Sequence, residues 1–254
     1  MSTTKPTQPQ FQSIDTDDAH APKFAASALD FLLIELVPLA QRITEKVQAR
    51  DQALIDEYRR SKLFNGSNNG TTPEDVKAAK NTEEAVKKKP KKGAKPENTE
   101  PTTTLGFPPT TPQTREAMFW RLDSLGYRVG QGLVERFSTG KPRPQTPLDA
   151  IKFICKDLWT LVFRKQIDNL KTNHRGIFVL TDNRFQALSR MSVDRRAGKE
   201  VVEEGLLRAG MYLYFPSGVI RGALAGLGIE ATVTGETAEI PTATFQIKTK
   251  GAKA

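Results

Sequence analysis

Sulfur and imidazole are scarce in this chain. One cysteine, Cys155, stands among 254 residues, so no disulfide can close within it. That usage fits a protein of a reducing compartment. The two histidines are His20, in a polar leader, and His174, in Asn173-His174-Arg175-Gly176. Neither has a Cys or His at ligand spacing, so a zinc site finds no support. Long apolar runs are missing too. No window approaches the eighteen or more uncharged apolar residues of a membrane span. The start, MSTTKPTQPQFQSIDTDDAH, is polar and acid-containing, and reads as neither a signal nor a transit peptide.

Catalytic patterns are absent as well. No GxSxG or Ser-His-Asp order occurs, and no GxxxxGK[ST]. Two stretches imitate a dinucleotide fingerprint and fail. Gly130-Gln-Gly132 lies inside an apolar-periodic helix and has Glu135 where the third glycine belongs, and Gly226-Leu-Gly228 falls at a helix end. Asp157 and Asp168 share a helical face, but Lys156 and Lys165 beside them offer plain surface pairing. Cys155 sits among apolar helix residues and reads as a core thiol. No catalytic constellation emerges: the expectation is a protein that is not an enzyme, with no cofactor and no metal.

Positive charge is present: 38 Lys and Arg against 29 Asp and Glu, a net +9. This keeps open a basic nucleic-acid or membrane-surface module. No nucleic-acid-binding motif accompanies the charge, so a basic surface facing water or an acidic protein is the plainer reading. Hydrophobic content is 37%, low for a chain folded throughout.

The pattern along the chain divides it. Residues 1–22 read as a disordered tail. From Phe24, residues Ala25, Leu29, Leu32, Leu33 and Leu36 recur at helical spacing. Pro38 should kink or interrupt that helix. The pattern resumes with Leu39, Ile43, Val47, Leu54, Ile55 and Tyr58, opposite Arg42, Glu45, Lys46, Arg50 and Asp51. Residues 65–110 read as a disordered linker inside one domain spanning 23–250. Within it, Thr72-Pro73-Glu74-Asp75 could open a short helix, and Lys87–Lys92 (KKKPKK) imitates a nuclear-localisation run diluted by nearby glutamates.

Thr111-Pro112 starts a helix as cap and first position. Met118, Leu122, Leu125, Val129, Leu133 and Phe137 form its stripe, and Gly140-Lys-Pro-Arg-Pro ends it. Thr146-Pro147 starts another, read as running to Leu170 and apolar most of the way round, hence central. Residues 176–190 read as a β-hairpin turning at Asp182-Asn183. Residues 191–210, with three glycines, read as a charged surface loop. Gly218, Gly222 and Gly226, spaced by four, clear one face of a helix so that a neighbour can approach closely. Gly228 suits a left-handed C-cap. Glu230–Glu236 and Thr242–Lys250 alternate as strands, split by Pro241. The expected fold is α+β, with helices packed on one side of a four-stranded antiparallel sheet.

Four stretches carry a family resemblance: LGYRVGQGLVERF (125–137), DAIKFICKDLWTLVFRKQIDNLKTNHRGIFVLTDN (149–183), SGVIRGALAGLGIEATVT (217–234) and TATFQIK (242–248). In order and content they resemble the small Bet-family subunits of the TRAPP (transport protein particle) complexes. KDLW, KQIDNL and TNHRG point to the subunit-six branch, Trs thirty-three in yeast. The resemblance covers 113–250 well and 24–60 weakly.

It implies a Bet-type fold and a non-catalytic scaffold subunit that forms a heterodimer with the Bet-family subunit. The implied assembly includes other TRAPP subunits, acts as a guanine-nucleotide exchange factor for Rab GTPases, and tethers vesicles in ER-to-Golgi and intra-Golgi transport. Such a subunit is cytoplasmic, peripheral at Golgi and ER–Golgi membranes through the complex, binds no nucleic acid, and meets the Rab indirectly. The resemblance also implies that helices 24–60 and 113–138 form the dimer face, with Leu29, Leu32, Leu33, Leu36, Met118, Leu122, Leu125, Val129 and Leu133 as its residues; the same residues could be ordinary core. The acylated relative carries its cysteine near the start of the central helix. Here Pro144, Gln145 and Thr146 hold that region, and self-acylation is not implied. Ser217 stands where the family often has a cysteine.

Overall fold

The computed structural model describes residues 25–68 and 110–250, apart from 141, 143, 145, 174, 175, 195 and 197. The tail, the Thr72–Asp75 helix start, KKKPKK, His20 and His174 lie outside the described residues.

Helix α1, Ala26–Asn68, is 43 residues long, about 64 Å at 1.5 Å per residue. It passes through Pro38 without ending. The carbonyl that Pro38 leaves without an amide partner belongs to Ile34, which is exposed, so water can satisfy it. The helix also continues through 65–68, four residues into the stretch expected to be linker. Helix α2, Pro112–Phe137, begins as its sequence predicts: Thr111 Oγ1 accepts the Thr114 amide at 3.2 Å, with proline at the first position.

Helix α3 opens over Pro147–Phe153 behind a Thr146 cap, widens to a π-helical turn at Ile154–Leu158, and closes over Trp159–Phe163. It stops seven residues short of the expected Leu170. Arg164 turns left-handed, at φ 59°, and the next residues are claimed by the sheet. Lys165 Nζ donates to Asp182 at 2.6 Å and to Asp168 at 3.0 Å, and the Ile167 amide donates to the Cys155 carbonyl at 3.0 Å. These long-range partners outweigh the helical propensity of Lys-Gln.

The chain then forms β1, Asn169–Thr172, and β2, Ile177–Asp182, antiparallel with Leu170 opposite Leu180. The hairpin thus reverses between β1 and β2, with Asn173 Oδ1 accepting the Ile177 amide and Gly176 at φ +88°. The expected hairpin around Asp182-Asn183 is not formed. Arg184–Arg190 instead make a turn and a short 3-10 helix, Gln186–Leu188, that buries Phe185 and Leu188.

Residues expected as a surface loop fold into α4, Lys199–Met211. Val201, Gly205 and Ala209 recur every four residues on its buried face, and Val193 fills the space at Gly205. Helix α5, Tyr214–Gly226, leads through Gly228, in the expected left-handed conformation at φ +83°, to β3, Ala231–Glu236. Strand β4, Ala243–Thr249, closes the sheet. Its order is β1-β2-β4-β3, antiparallel throughout.

One face of the sheet is buried. Phe178, Leu180, Val233, Phe245 and Ile247 point into the core, while Thr232, Thr234, Lys171 and Lys248 face water. The centre is Trp159, fully buried, with Phe163, Phe185 and Phe245 at ring-centroid distances of 4.4, 6.0 and 5.4 Å. The α+β architecture, with helices on one side of a four-stranded antiparallel sheet, is the expected one.

Candidate interaction surface

The glycine spacing fixes how α2 and α5 meet. An added Cβ on Gly218 would lie 2.2 Å from the Asp123 carbonyl oxygen, and one on Gly222 would lie 2.0 Å from that of Tyr127. At Gly226 it would lie 3.3 Å from the Val134 side chain. The approach is reciprocal: a Cβ on Gly126 would come within 2.2 Å of the Phe215 carbonyl oxygen, and one on Gly130 within 2.1 Å of that of Val219. Backbone therefore touches backbone across the crossing.

In the sequence Gly130 enters only a failed dinucleotide pattern and Gly126 only the family stretch 125–137. Their signal is the same spacing of four, on a second helix. A charge pair locks the crossing. Asp123, almost wholly buried, accepts from Arg221 through both oxygens. The Arg221 guanidinium lies 4.4 Å over the Tyr127 ring.

A second buried acid ties α3 to the sheet. Asp182 accepts from Trp159 Nε1 at 2.9 Å, from Lys165 and from the Arg184 amide. Burial alone would lower the Lys165 pKa, but the hydrogen bonds that its ammonium donates to Asp182 and Asp168 raise it overall. Asp168 is held below its ordinary value, first by the Asn183 amide and then by Lys165. Cys155, inside the π-helical turn, has its thiol pushed up to about 12 by burial, partly offset by Lys156. A thiol so protonated is a poor nucleophile. No group of three or more His, Cys, Asp or Glu among the described residues could hold a metal ion. No helix among them is long and apolar enough to cross a membrane.

The nine residues expected at a dimer face separate into three groups. Leu33, Leu36, Met118 and Leu122 are buried inside the chain's own core. Leu29, Leu125 and Leu133 are half-buried against it. Leu32 (54% exposed) and Val129 (38%) face outward. The period was right, but two interior directions share it: α2 turns Met118 and Leu122 toward the core and its glycines toward α5. The exposed apolar residues of α1 that period-counting assigned to a face without saying whether it was covered are Leu39, Ile43, Val47, Leu54, Ile55 and Tyr58. Phe31 and Trp120, also exposed, were missed. Among the described residues, Leu32, Leu39, Ile43 and Val47 make a row beside the buried Leu36.

The described residues thus define an α+β protein whose exposed large apolar side chains lie on α1 and α2, apart from Leu207 on α4. The model of the transport protein particle (TRAPP) component family matches residues 29–250. Human trafficking protein particle complex subunit 6B is 51% identical over 127 residues, 50% of this chain and 75% of that one. Human subunit 6A is 44% identical over 126 residues, 50% of this chain and 74% of that one. A solved trafficking protein particle complex subunit 3 from Naegleria fowleri, covalently bound to palmitic acid, is 14% identical; it covers 55% of this chain and 84% of its own, with a TM-score of 0.44. The chain belongs to the TRAPP component family.

Proposed function

We propose that the chain is a non-catalytic scaffold subunit of a TRAPP vesicle-tethering complex. It pairs with a Bet-family subunit through the outward side of α1 and α2. The assembled particle, with its other subunits, acts as a guanine-nucleotide exchange factor for a Rab GTPase in ER-to-Golgi and intra-Golgi transport. The subunit contacts the Rab indirectly and sits peripherally on Golgi and ER–Golgi membranes through the complex.

The observation that carries this reading is the apolar row on α1 with Val129 on α2. Leu32, Leu39, Ile43 and Val47 are each about two-fifths exposed or more. A row of large apolar side chains along a helix marks a surface for another protein. The names of the subunit 6 relatives support the kind of assembly.

The test is co-expression with a Bet-family subunit, followed by size exclusion with light scattering. A one-to-one complex is expected. Leu32→Glu together with Val129→Glu should weaken it at least tenfold and leave the circular dichroism of the isolated chain unchanged, since both side chains already face water. A double variant that pairs like the parent would overturn the interface. A folded parent that ignores the partner would overturn the function.

A further inference from the structure

Helix α1 carries one seam along its whole described length, and only half of it is covered. Leu33, Val37, Ala40 and Thr44 alternate at spacings of four and three and are buried. The same alternation continues through Val47, Asp51, Leu54 and Tyr58, yet from Glu45 to Lys62 every side chain except Asp56 is exposed. Tyr58 is 65% exposed, with Leu54 and Ile55 beside it. The cover stops where α2 begins. Thr114, in the first turn of α2, donates from Oγ1 to Gln48 Oε1 at 3.2 Å, and Thr111 bonds Thr114. Beyond that point α1 runs on with no described residue against its seam.

The chain that leads into α2 arrives at this spot. From Lys87 to Pro109 the only large apolar residues are Leu105 and Phe107, in TTTLGFPPT. They lie five and three residues before Thr110, so they reach at most about 17 and 10 Å from it. Leu54 and Tyr58 lie about 9 and 15 Å along the helix from Gln48. Tether and target match. A short tether gives an apolar segment an effective concentration in the millimolar range, far above that of a separate chain. Two features argue against a second copy. Among the side chains described beyond Gln48, the bare seam offers Leu54, Ile55 and Tyr58 as large apolar anchors, well short of the roughly 1,600 Å² of a standard interface. A two-fold pairing centred between Leu54 and Ile55 would also set Arg50 against Arg59.

We propose that the Leu105-Gly106-Phe107 segment docks on the distal seam of α1, with Phe107 and Leu105 against Leu54, Ile55 and Tyr58. The proposal stands apart from the pairing reading above, which uses the proximal half of α1. In it, the segment acts as a second anchor for the long helix, in cis.

The test uses the full chain with two cysteines placed beside the contact rather than in it: Arg59→Cys and Gly106→Cys. Native Cys155 is buried and protonated and stays out of the exchange. Under mild oxidation, an intrachain disulfide should form at least tenfold faster than in the control pair Arg59→Cys with Ala94→Cys. Adding Leu105→Ser and Phe107→Ser should erase that advantage. Circular dichroism and gel filtration monitor the fold of each variant. Equal rates for the two pairs would overturn the proposal, as would an advantage that survives the serines. So would a disulfide that forms only between chains and scales with concentration, which would make a second copy the occupant.

Discussion

Gly222 is the residue at which the least chemistry decides the most. Its missing Cβ admits the Tyr127 carbonyl, and no rotamer can relieve a clash between a Cβ and a backbone oxygen. Gly222→Ala should destabilise the fold by about 1 to 3 kcal/mol, the usual range for overpacking a tight core. Gly132, two residues beyond Gly130 on α2, has nothing within 4 Å of its added Cβ. Gly132→Ala should instead stabilise by up to about 1 kcal/mol, because alanine is the better helix former. Urea unfolding of the two variants beside the parent checks both signs. Opposite shifts separate close approach from a general intolerance of alanine in α2 and α5.

At the level of elements, the junction of α3 with the β1–β2 hairpin sets an acid limit. The folded pKa of Asp168 is depressed, so its stabilisation is complete above the ordinary value of 3.8 and is lost as pH falls through the folded value. Lys165 behaves oppositely: its raised pKa gives stability that is lost only as pH climbs above 10.5. In Asp168→Asn the acid-linked part should vanish. The gap in urea midpoint between parent and variant should be present at pH 6 and narrow below pH 3.8. The side chain is about one-third exposed, so the gap is a small one.

The same junction shows where sequence reading stopped. Alternation in GIFVL and TATFQIK marked β2 and β4, because strands with one buried face must alternate. Thr-Pro pairs marked the starts of α2 and α3. Nothing local marked the end of α3. It is set by Asp182, which reaches across 17 positions to hold Lys165 and 23 to hold Trp159. Helix α4 was missed for the opposite reason. Its buried positions include Gly205 and Ala209, small residues that give little apolar signal, and packing on Val193 shows why Gly205 is small. The candidate surface was half legible. Periodicity found the apolar positions of α1 and α2, but burial alone separates Met118 and Leu122 from Leu32 and Val129.

For the molecule as a whole, the distribution of charge and apolar surface separates two modes of association. The proposed pairing rests on aliphatic side chains, so its affinity should change little between about 0.1 and 1 M salt, while the Debye length falls from about 10 to 3 Å. A chain acting through its net +9 on nucleic acid would lose several orders of magnitude over the same range. Titration at both salt concentrations, by calorimetry with a Bet-family subunit and by fluorescence anisotropy with a labelled duplex, separates the two.

The length of α1 has a mechanical consequence. Asp30 near its start is gripped by Gln186 and Arg190, and Gln48 is the last point at which α2 holds it. From there to Asn68 the helix runs about 30 Å. Without the second anchor proposed above it is a cantilever: a rotation of about 10° at the Gln48 support sweeps the tip through about 5 Å. A small repacking of α1 against α2 would then become a displacement at the tip as large as a residue, and the second anchor would shorten that lever.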